Sequence, residues 1–299
     1  MASPEMDLIH EMMRDQPPLD GGSVQEQREA MEAMVGTLAP PLGTEIELVE
    51  FDRFDAEWIH APDVGDARAL LYLHGGAYCI GSINTHRALA ARLSAAARMA
   101  VLLPGYRLAP EDPHPAAVED ALVAYRWLLD QGLAPSRLAV AGDSAGGGLA
   151  LAMLVSLRDD EPGLLPAAAT LLSPWADLTQ SSESVTANAS SDPVVDRAGL
   201  DESAAWYAAG ADLRSPLVSP RFADLTGLPP MLIQVGEPEI LLDDATGTAA
   251  AAEAVDVDVT LEVWPEVFHV WQASAGMTPE GDEAVAGIGR YLAERLQTT

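Results

Sequence analysis

The chain has 299 residues, 48% of them hydrophobic, with 46 acidic residues against 16 basic ones and a formal net charge of −30. Such a length and apolar content fit one large α/β domain or two ordinary ones and exclude global disorder, while the charge excludes nucleic acid and anionic membranes as partners because phosphate is repelled. The single cysteine, Cys79, excludes an internal disulfide framework and a multi-cysteine metal site, and reads as a buried, inert thiol.

Every basic residue is an arginine. Compositional drift is the plain reading of that bias, and adaptation to high salt, where a carboxylate-rich surface stays hydrated, is the alternative. The stretch from Met1 to Asp20 carries acids and three prolines but no basic n-region or apolar h-region, so it does not read as a signal peptide. No apolar run reaches the roughly 18 residues of a membrane span. The expectation is a cytoplasmic protein.

Met1 to about Pro41 is helical in pattern and rich in Met, Glu and Pro. Short apolar or β-branched runs then predict strands at Glu45–Phe51, Ala56–His60, Ala69–His74, Ala100–Tyr106, Leu138–Gly142, Ala168–Leu172, Met231–Gly236 and Val257–Trp264. The first two should pair antiparallel. Helical patterns fall at Thr85–Arg98, Pro115–Gln131, Gly147–Asp159, Leu241–Ala254 and Gly281–Gln297. This alternation predicts an α/β fold: a mostly parallel, eight-stranded sheet with helices on both faces. Asp177 to about Thr226 breaks the pattern with Ser/Asn-rich turns, Asp192-Pro193 and a short helix near Asp201–Gly210. Inserts of this length in α/β enzymes usually cover the site. Residues 1–41 and 177–226 are therefore expected to form one helical cap, and 42–176 with 227–299 the catalytic domain.

Gly142-Asp143-Ser144-Ala145-Gly146 has the Gly-x-Ser-x-Gly form, between a strand-like Arg137–Ala141 and a helix-like run from Gly146. Small neighbours permit the sharp strand-to-helix turn that exposes a serine nucleophile, and the helix start favours a developing oxyanion. A helix-capping serine or a phosphate loop is the bland alternative, but a Walker loop needs a lysine that this chain lacks. Just after the strand at 69–74 comes His74-Gly75-Gly76-Ala77-Tyr78. Its glycines should bring the N–H groups of Gly75 and Gly76 to an oxyanion, with Ala145 adding a third. His74 then holds the loop, and Asp143 braces it.

Among the other histidines, His10, His60, His86 and His114 read as surface or structural. His269 leaves the carboxyl end of the last strand, where this architecture presents its general base. The carboxylate that orients it should follow the strand Met231–Val235, where Glu237, Glu239, Asp243 and Asp244 all lie. An early position favours Glu237 or Glu239, since Asp243 and Asp244 fall in a first helical turn and suit its dipole.

From about Ala69 to Trp271 the chain resembles the bacterial hormone-sensitive-lipase-like esterases of the α/β-hydrolase fold. The marks are His74-Gly75-Gly76-Ala77-Tyr78, Tyr106-Arg107-Leu108-Ala109-Pro110-Glu111, Pro115–Asp120, Gly142-Asp143-Ser144-Ala145-Gly146-Gly147, Ser173-Pro174-Trp175-Ala176-Asp177 and His269-Val270-Trp271. It departs from the family pattern at Ala77, where a third glycine is usual, and at the acid, where an Asp-Pro-Leu-x-Asp run is common. Aligned on that run, Glu239-Ile240-Leu241-Leu242-Asp243 puts a glutamate in the acid position.

The resemblance implies a Ser144–His269–Glu239 triad acting on small ester substrates through an acyl-enzyme, with no metal or organic cofactor and, as in many relatives, a homodimer. Lactones, amides, carbamates and thioesters share this machinery and stay open as substrates. A non-catalytic receptor, as in the plant gibberellin receptors that lack the histidine, is disfavoured by His269. Trp206, Tyr207 and the methionines of the cap suggest a modest apolar pocket and short acyl chains.

Overall fold

A computed structural model describes residues 2–14, 22–36 and 38–296. Two helices come first, α1 (Pro4–Arg14) and α2 (Val24–Val35). They are followed by β1 (Glu45–Glu50), β2 (Asp55–His60), β3 (Ala69–Leu73), α3 (Ile83–Ala97), β4 (Ala100–Pro104), α4 (Ala116–Asp130), β5 (Leu138–Asp143), α5 (Ala145–Asp160) and β6 (Ala168–Leu172). Next come α6 (Ser184–Ala187), α7 (Arg197–Ala208), β7 (Met231–Gly236), α8 (Leu242–Glu253), β8 (Val259–Trp264) and α9 (Pro279–Arg295). The eight strands form one sheet in the order β1-β2-β4-β3-β5-β6-β7-β8. The pairs β1–β2 and β2–β4 are antiparallel, and all the others are parallel.

The period-two geometry of strands sorts the core. Leu71, Leu73, Val140, Leu171 and Ile233 pack with residues of α4, α5 and α8 on one face. Leu70, Tyr72, Val101, Ala139 and Ala141 pack with α3 and α9 on the other. Burial on both faces is why the central strands read as continuous apolar runs rather than alternating ones. The edge strand β1 keeps most of its side chains exposed, and its Glu45, Glu47 and Glu50 discourage pairing with another sheet.

Strand order reverses around β3: the chain passes from β3 outward to β4, then returns so that β5 lies on the other side of β3. Such a switch point opens a crevice at the carboxyl ends of the strands, where ligands bind in open α/β sheets. The loop carrying the paired glycines leaves β3, and Ser144 leaves β5, with Leu73 and Gly142 in register. Sheet topology alone therefore brings two distant motifs together.

Several boundaries differ from the sequence reading. Helix α5 begins at Ala145 instead of Gly147, because Ser144 itself occupies its N-cap position. β8 begins at Val259, after a turn through Asp256 at φ 61°. Helix α7 starts earlier than expected, capped by the Asp196 side chain, which accepts from Gly199 N. The expected end of the last helix at Gln297 lies outside the described residues, as do parts of the N-terminal segment. No helix among the described residues is long and apolar enough to cross a membrane.

Candidate active site

Ser144 sits at φ 51°, ψ −122°, a conformation that costs a non-glycine residue on the order of 1–3 kcal/mol. The fold holds it there by close backbone packing on both sides. A Cβ at Gly142 would collide with the Gly146 carbonyl, and one at Gly146 would collide with the carbonyls of Leu73 and His74. Ser144 N donates to Leu172 O at 2.8 Å, and Ser144 O accepts from Trp175 N at 2.9 Å. The turn is thus tied to β6 and to the segment that follows it.

His269 and Glu239 lie together. Nδ1 of the imidazole is 2.7 Å from Glu239 Oε2, and Glu239 is fully buried. The second carboxylate oxygen accepts from Ser173 Oγ (2.7 Å) and Gly236 N (2.6 Å), so the acid is fixed from three directions. Ser173 also accepts from Val270 N at 3.2 Å, which joins the acid and histidine loops. Glu237 is exposed, while Asp243 accepts from Ser184 N and Asp244 from Ala176 N and Asp177 N. Of the four acids after β7, only Glu239 bonds the imidazole among the described residues.

Burial is the largest influence on His269 and favours its neutral form. The charge and hydrogen bond of Glu239, joined by Asp192 and Asp143, outweigh it and raise the pKa above the ordinary 6.5. With Nδ1 committed to Glu239, Nε2 is the ring nitrogen left for proton transfer. Ser144 and His269 line the same cavity, and Ser144 Oγ makes no hydrogen bond among the described residues.

One expectation at the oxyanion loop is corrected. Gly75 N donates to Asp143 Oδ1 at 3.0 Å, so this N–H is already engaged and is not free for an oxyanion. The N–H groups of Gly76, Ala77 and Ala145 donate to no protein group among the described residues. Gly76 at φ 112° and Ala77 at φ 51° turn the chain in the left-handed region just before Cys79 N and Ile80 N bond back to Gly76 O. A Cβ at Gly76 would meet the Ile80 carbonyl, which makes glycine obligatory there.

Asp143 braces this loop from below. Besides Gly75 N, it accepts from Tyr72 Oη at 2.6 Å and lies 3.3 Å from His86 Nε2. Burial alone would raise the Asp143 pKa, but His86 and the hydroxyl bring it below its usual value, and His86 is raised in turn. Each of the two thus favours the charged form of the other against burial. His74 is neutral: burial first, then repulsion from His86, lowers its pKa to about 3. Its Nδ1 donates to Gly75 O (2.8 Å), and its ring stacks on Tyr106. Cys79 is buried, and burial pushes its thiol up to about 12.

The cavity has a volume of about 690 Å³, within the range of small-molecule sites. Met13 of α1, Met31 and Val35 of α2, Leu200 of α7, and Val194 and Phe268 supply apolar walls. Trp206 and Tyr207, expected to shape the pocket, do not line it. Tyr207 is buried against Tyr78, with ring centroids 3.8 Å apart, and Trp206 packs on the core. Among the described residues, no group of three or more His, Cys, Asp or Glu side chains is placed to hold a metal ion.

Comparison with known proteins agrees with this geometry. A family model for the alpha/beta hydrolase fold matches residues 70–273. The acetyl-hydrolase of Streptomyces hygroscopicus is 47% identical over 98% of this chain and 97% of its own length. The crystal structure of an esterase from the bacterial hormone-sensitive lipase family superposes with a TM-score of 0.94 at 45% identity, covering 99% of each chain. This chain belongs to that esterase family. A structure of EstE5 soaked with p-nitrophenyl butyrate gives the same TM-score of 0.94 at 45% identity, over 99% of this chain and 100% of that one. As a member of the hormone-sensitive-lipase-like esterases, the protein is a carboxylic ester hydrolase.

Sequence alone leaves several residues of this esterase's site without a role. Ser173 falls in the Ser173–Asp177 block, and its position after β6, between β5 and β7, is the available signal. Tyr72 lies on β3, two residues before His74, and its hydroxyl reaches Asp143 at the end of the neighbouring β5. Arg28 of α2 donates to Cys79 O (2.8 Å) and Ala109 O (3.0 Å) and pairs with Glu111 at 2.7 Å. It ties a wall of the cavity to the oxyanion loop, and no local pattern marks it.

Proposed function

We propose that this esterase hydrolyses small, short-chain acyl esters through Ser144, His269 and Glu239. The observation that carries the reading is the 2.7 Å bond from His269 Nδ1 to buried Glu239, beside the cavity that His269 shares with a strained Ser144 whose Oγ makes no hydrogen bond among the described residues. His269 Nε2 takes the Ser144 proton as Oγ attacks the ester carbonyl. Glu239 holds the tautomer and stabilises the imidazolium. The oxyanion is received by the N–H groups of Gly76, Ala77 and Ala145, at the positive end of α5. His269 then protonates the departing alcohol, and water repeats the sequence to free the acid and Ser144.

Residues 1–41 and 177–226 act in this reading as a cap over a catalytic domain of 42–176 and 227–299. Wall residues from α1, α2 and α7 support it. The names of the relatives, an acetyl-hydrolase and an esterase soaked with a butyrate ester, support a short acyl group. A p-nitrophenyl ester series should give kcat/KM highest for acetyl to butyryl chains, falling steeply beyond them. A maximum at long chains overturns the assignment.

The pH profile offers a second test. The base must be neutral to accept the proton, and its pKa is raised, chiefly by Glu239 acting against burial. Activity should therefore be lost as pH falls through a value above the ordinary 6.5 of imidazole. An acid limb of kcat/KM lying below that value would remove His269 from the role.

A further inference from the structure

The loop that carries Glu239 leaves the sheet after β7, keeping one strand contact, from Glu237 N to Trp264 O at the end of β8, so its carbonyls need partners from elsewhere. Four successive carbonyls find them on one segment. Glu237 O and Glu239 O accept from Asn188 Nδ2 at 3.0 and 2.8 Å, Pro238 O from Ser191 Oγ at 3.0 Å, and Ile240 O from Ser184 Oγ at 2.7 Å. In the opposite sense, Ile240 N donates to Asp192 Oδ2 at 2.9 Å.

The other oxygen of Asp192 accepts from Val194 N (2.9 Å) and Val195 N (3.0 Å). Asp192 and both valines line the cavity that holds Ser144 and His269. A turn-forming aspartate would account for the bonds to Val194 and Val195, which are local. It does not account for the bond to Ile240, 48 residues away and adjacent to Glu239.

Taking the Ser144–His269–Glu239 reading as its basis, we propose that Asp192 is a positioning residue that couples the wall of the substrate cavity to the loop carrying Glu239, with Asn188 gripping the same loop. The coupling is a short one. Displacing Val194 or Val195 pulls on one carboxylate oxygen, and the other holds the residue next to Glu239. Small displacements of a catalytic group weigh heavily on rate, since a misplacement of about 1 Å costs on the order of 100-fold.

Electrostatics adds an observable that distinguishes positioning from simple support. Asp192 faces His269 and Glu239, and Asp143 approaches His269 from β5. Burial first, then Glu239, raises the Asp192 pKa, while His269 and the N–H groups of Ile240 and Val194 favour its charged form. That charge in turn helps to hold the proton on His269.

The test compares Asp192→Asn, Asp192→Ala, Asn188→Ala and Glu239→Gln in the full chain, measuring kcat and KM on p-nitrophenyl acetate across pH. Both Asp192 variants should lower kcat about ten-fold with KM little changed. They should also move the acid limb to lower pH, because a negative charge near His269 is gone. Asn188→Ala should lower kcat without moving that limb, since Asn188 carries no charge.

A change in KM alone, or an unaltered kcat and pH profile, overturns the coupling while a collapsed Glu239→Gln leaves the triad reading standing. Near-normal activity of Glu239→Gln overturns the triad reading itself. If Asp192→Ala does not fold, Asp192→Asn, which keeps the shape and an acceptor oxygen, and half-buried Asn188→Ala decide the question.

Discussion

Ser144→Ala is expected to lower kcat/KM toward p-nitrophenyl acetate by at least about 10⁴-fold while leaving the melting temperature nearly unchanged. The first half follows from the chemistry: without Oγ no acyl-enzyme forms, and only the oxyanion donors and His269 remain to activate water. The second half follows from the local structure. Ser144 Oγ has no hydrogen-bond partner among the described residues, so its removal leaves no buried group unpaired. Alanine also inherits the φ of 51° without relief, because the strain belongs to Cβ and not to Oγ. Ser144→Gly separates the two effects. It should be as inactive, yet melt above the alanine variant, as the elbow loses strain on the order of 1 kcal/mol. Substantial esterase activity in either variant refutes Ser144 as nucleophile.

What the sequence made legible here was set by short-range physics. Continuous apolar runs marked the buried parallel strands, and the glycines at 142 and 146 marked a turn that admits no Cβ. The order of serine, acid and histidine along the chain then followed from the order of strands β5, β7 and β8 in the sheet. The choice among Glu237, Glu239 and Asp243 was not local. It depends on Ser173 arriving from β6 and on Gly236 N, which together aim Glu239 at His269. The same holds for Gly75. Adjacent glycines suggest equal donors, but Asp143 lies one strand away and claims the first N–H. Pocket walls were least legible of all. A Trp-Tyr pair on α7 reads as a pocket lining, whereas the helix turns Tyr207 onto Tyr78 and gives the cavity Leu200 and Gly199 instead.

Glu239→Gln should reduce kcat by about 10³- to 10⁴-fold with KM almost unaffected. The substitution nearly preserves shape. A glutamine can keep Oε1 as acceptor for Ser173 Oγ and Gly236 N, so the loop should stay closed and the protein folded. The amide then points an N–H at His269 Nδ1 where a carboxylate oxygen stood at 2.7 Å. A donor there forces the imidazole into the tautomer with its proton on Nε2, which cannot accept from Ser144. It also withdraws the charge that opposes burial at His269, so the imidazolium of the transition state loses its partner. Glu239→Ala is the poorer experiment, because it strips Ser173 and Gly236 of an acceptor and mixes a folding cost of about 1–3 kcal/mol into the kinetics. Glu237→Gln supplies the control: its side chain is exposed, and its loss should change kcat less than about two-fold. A larger loss from Glu237→Gln or Asp243→Asn than from Glu239→Gln would move the triad acid to that residue, against the bond that Glu239 makes to His269.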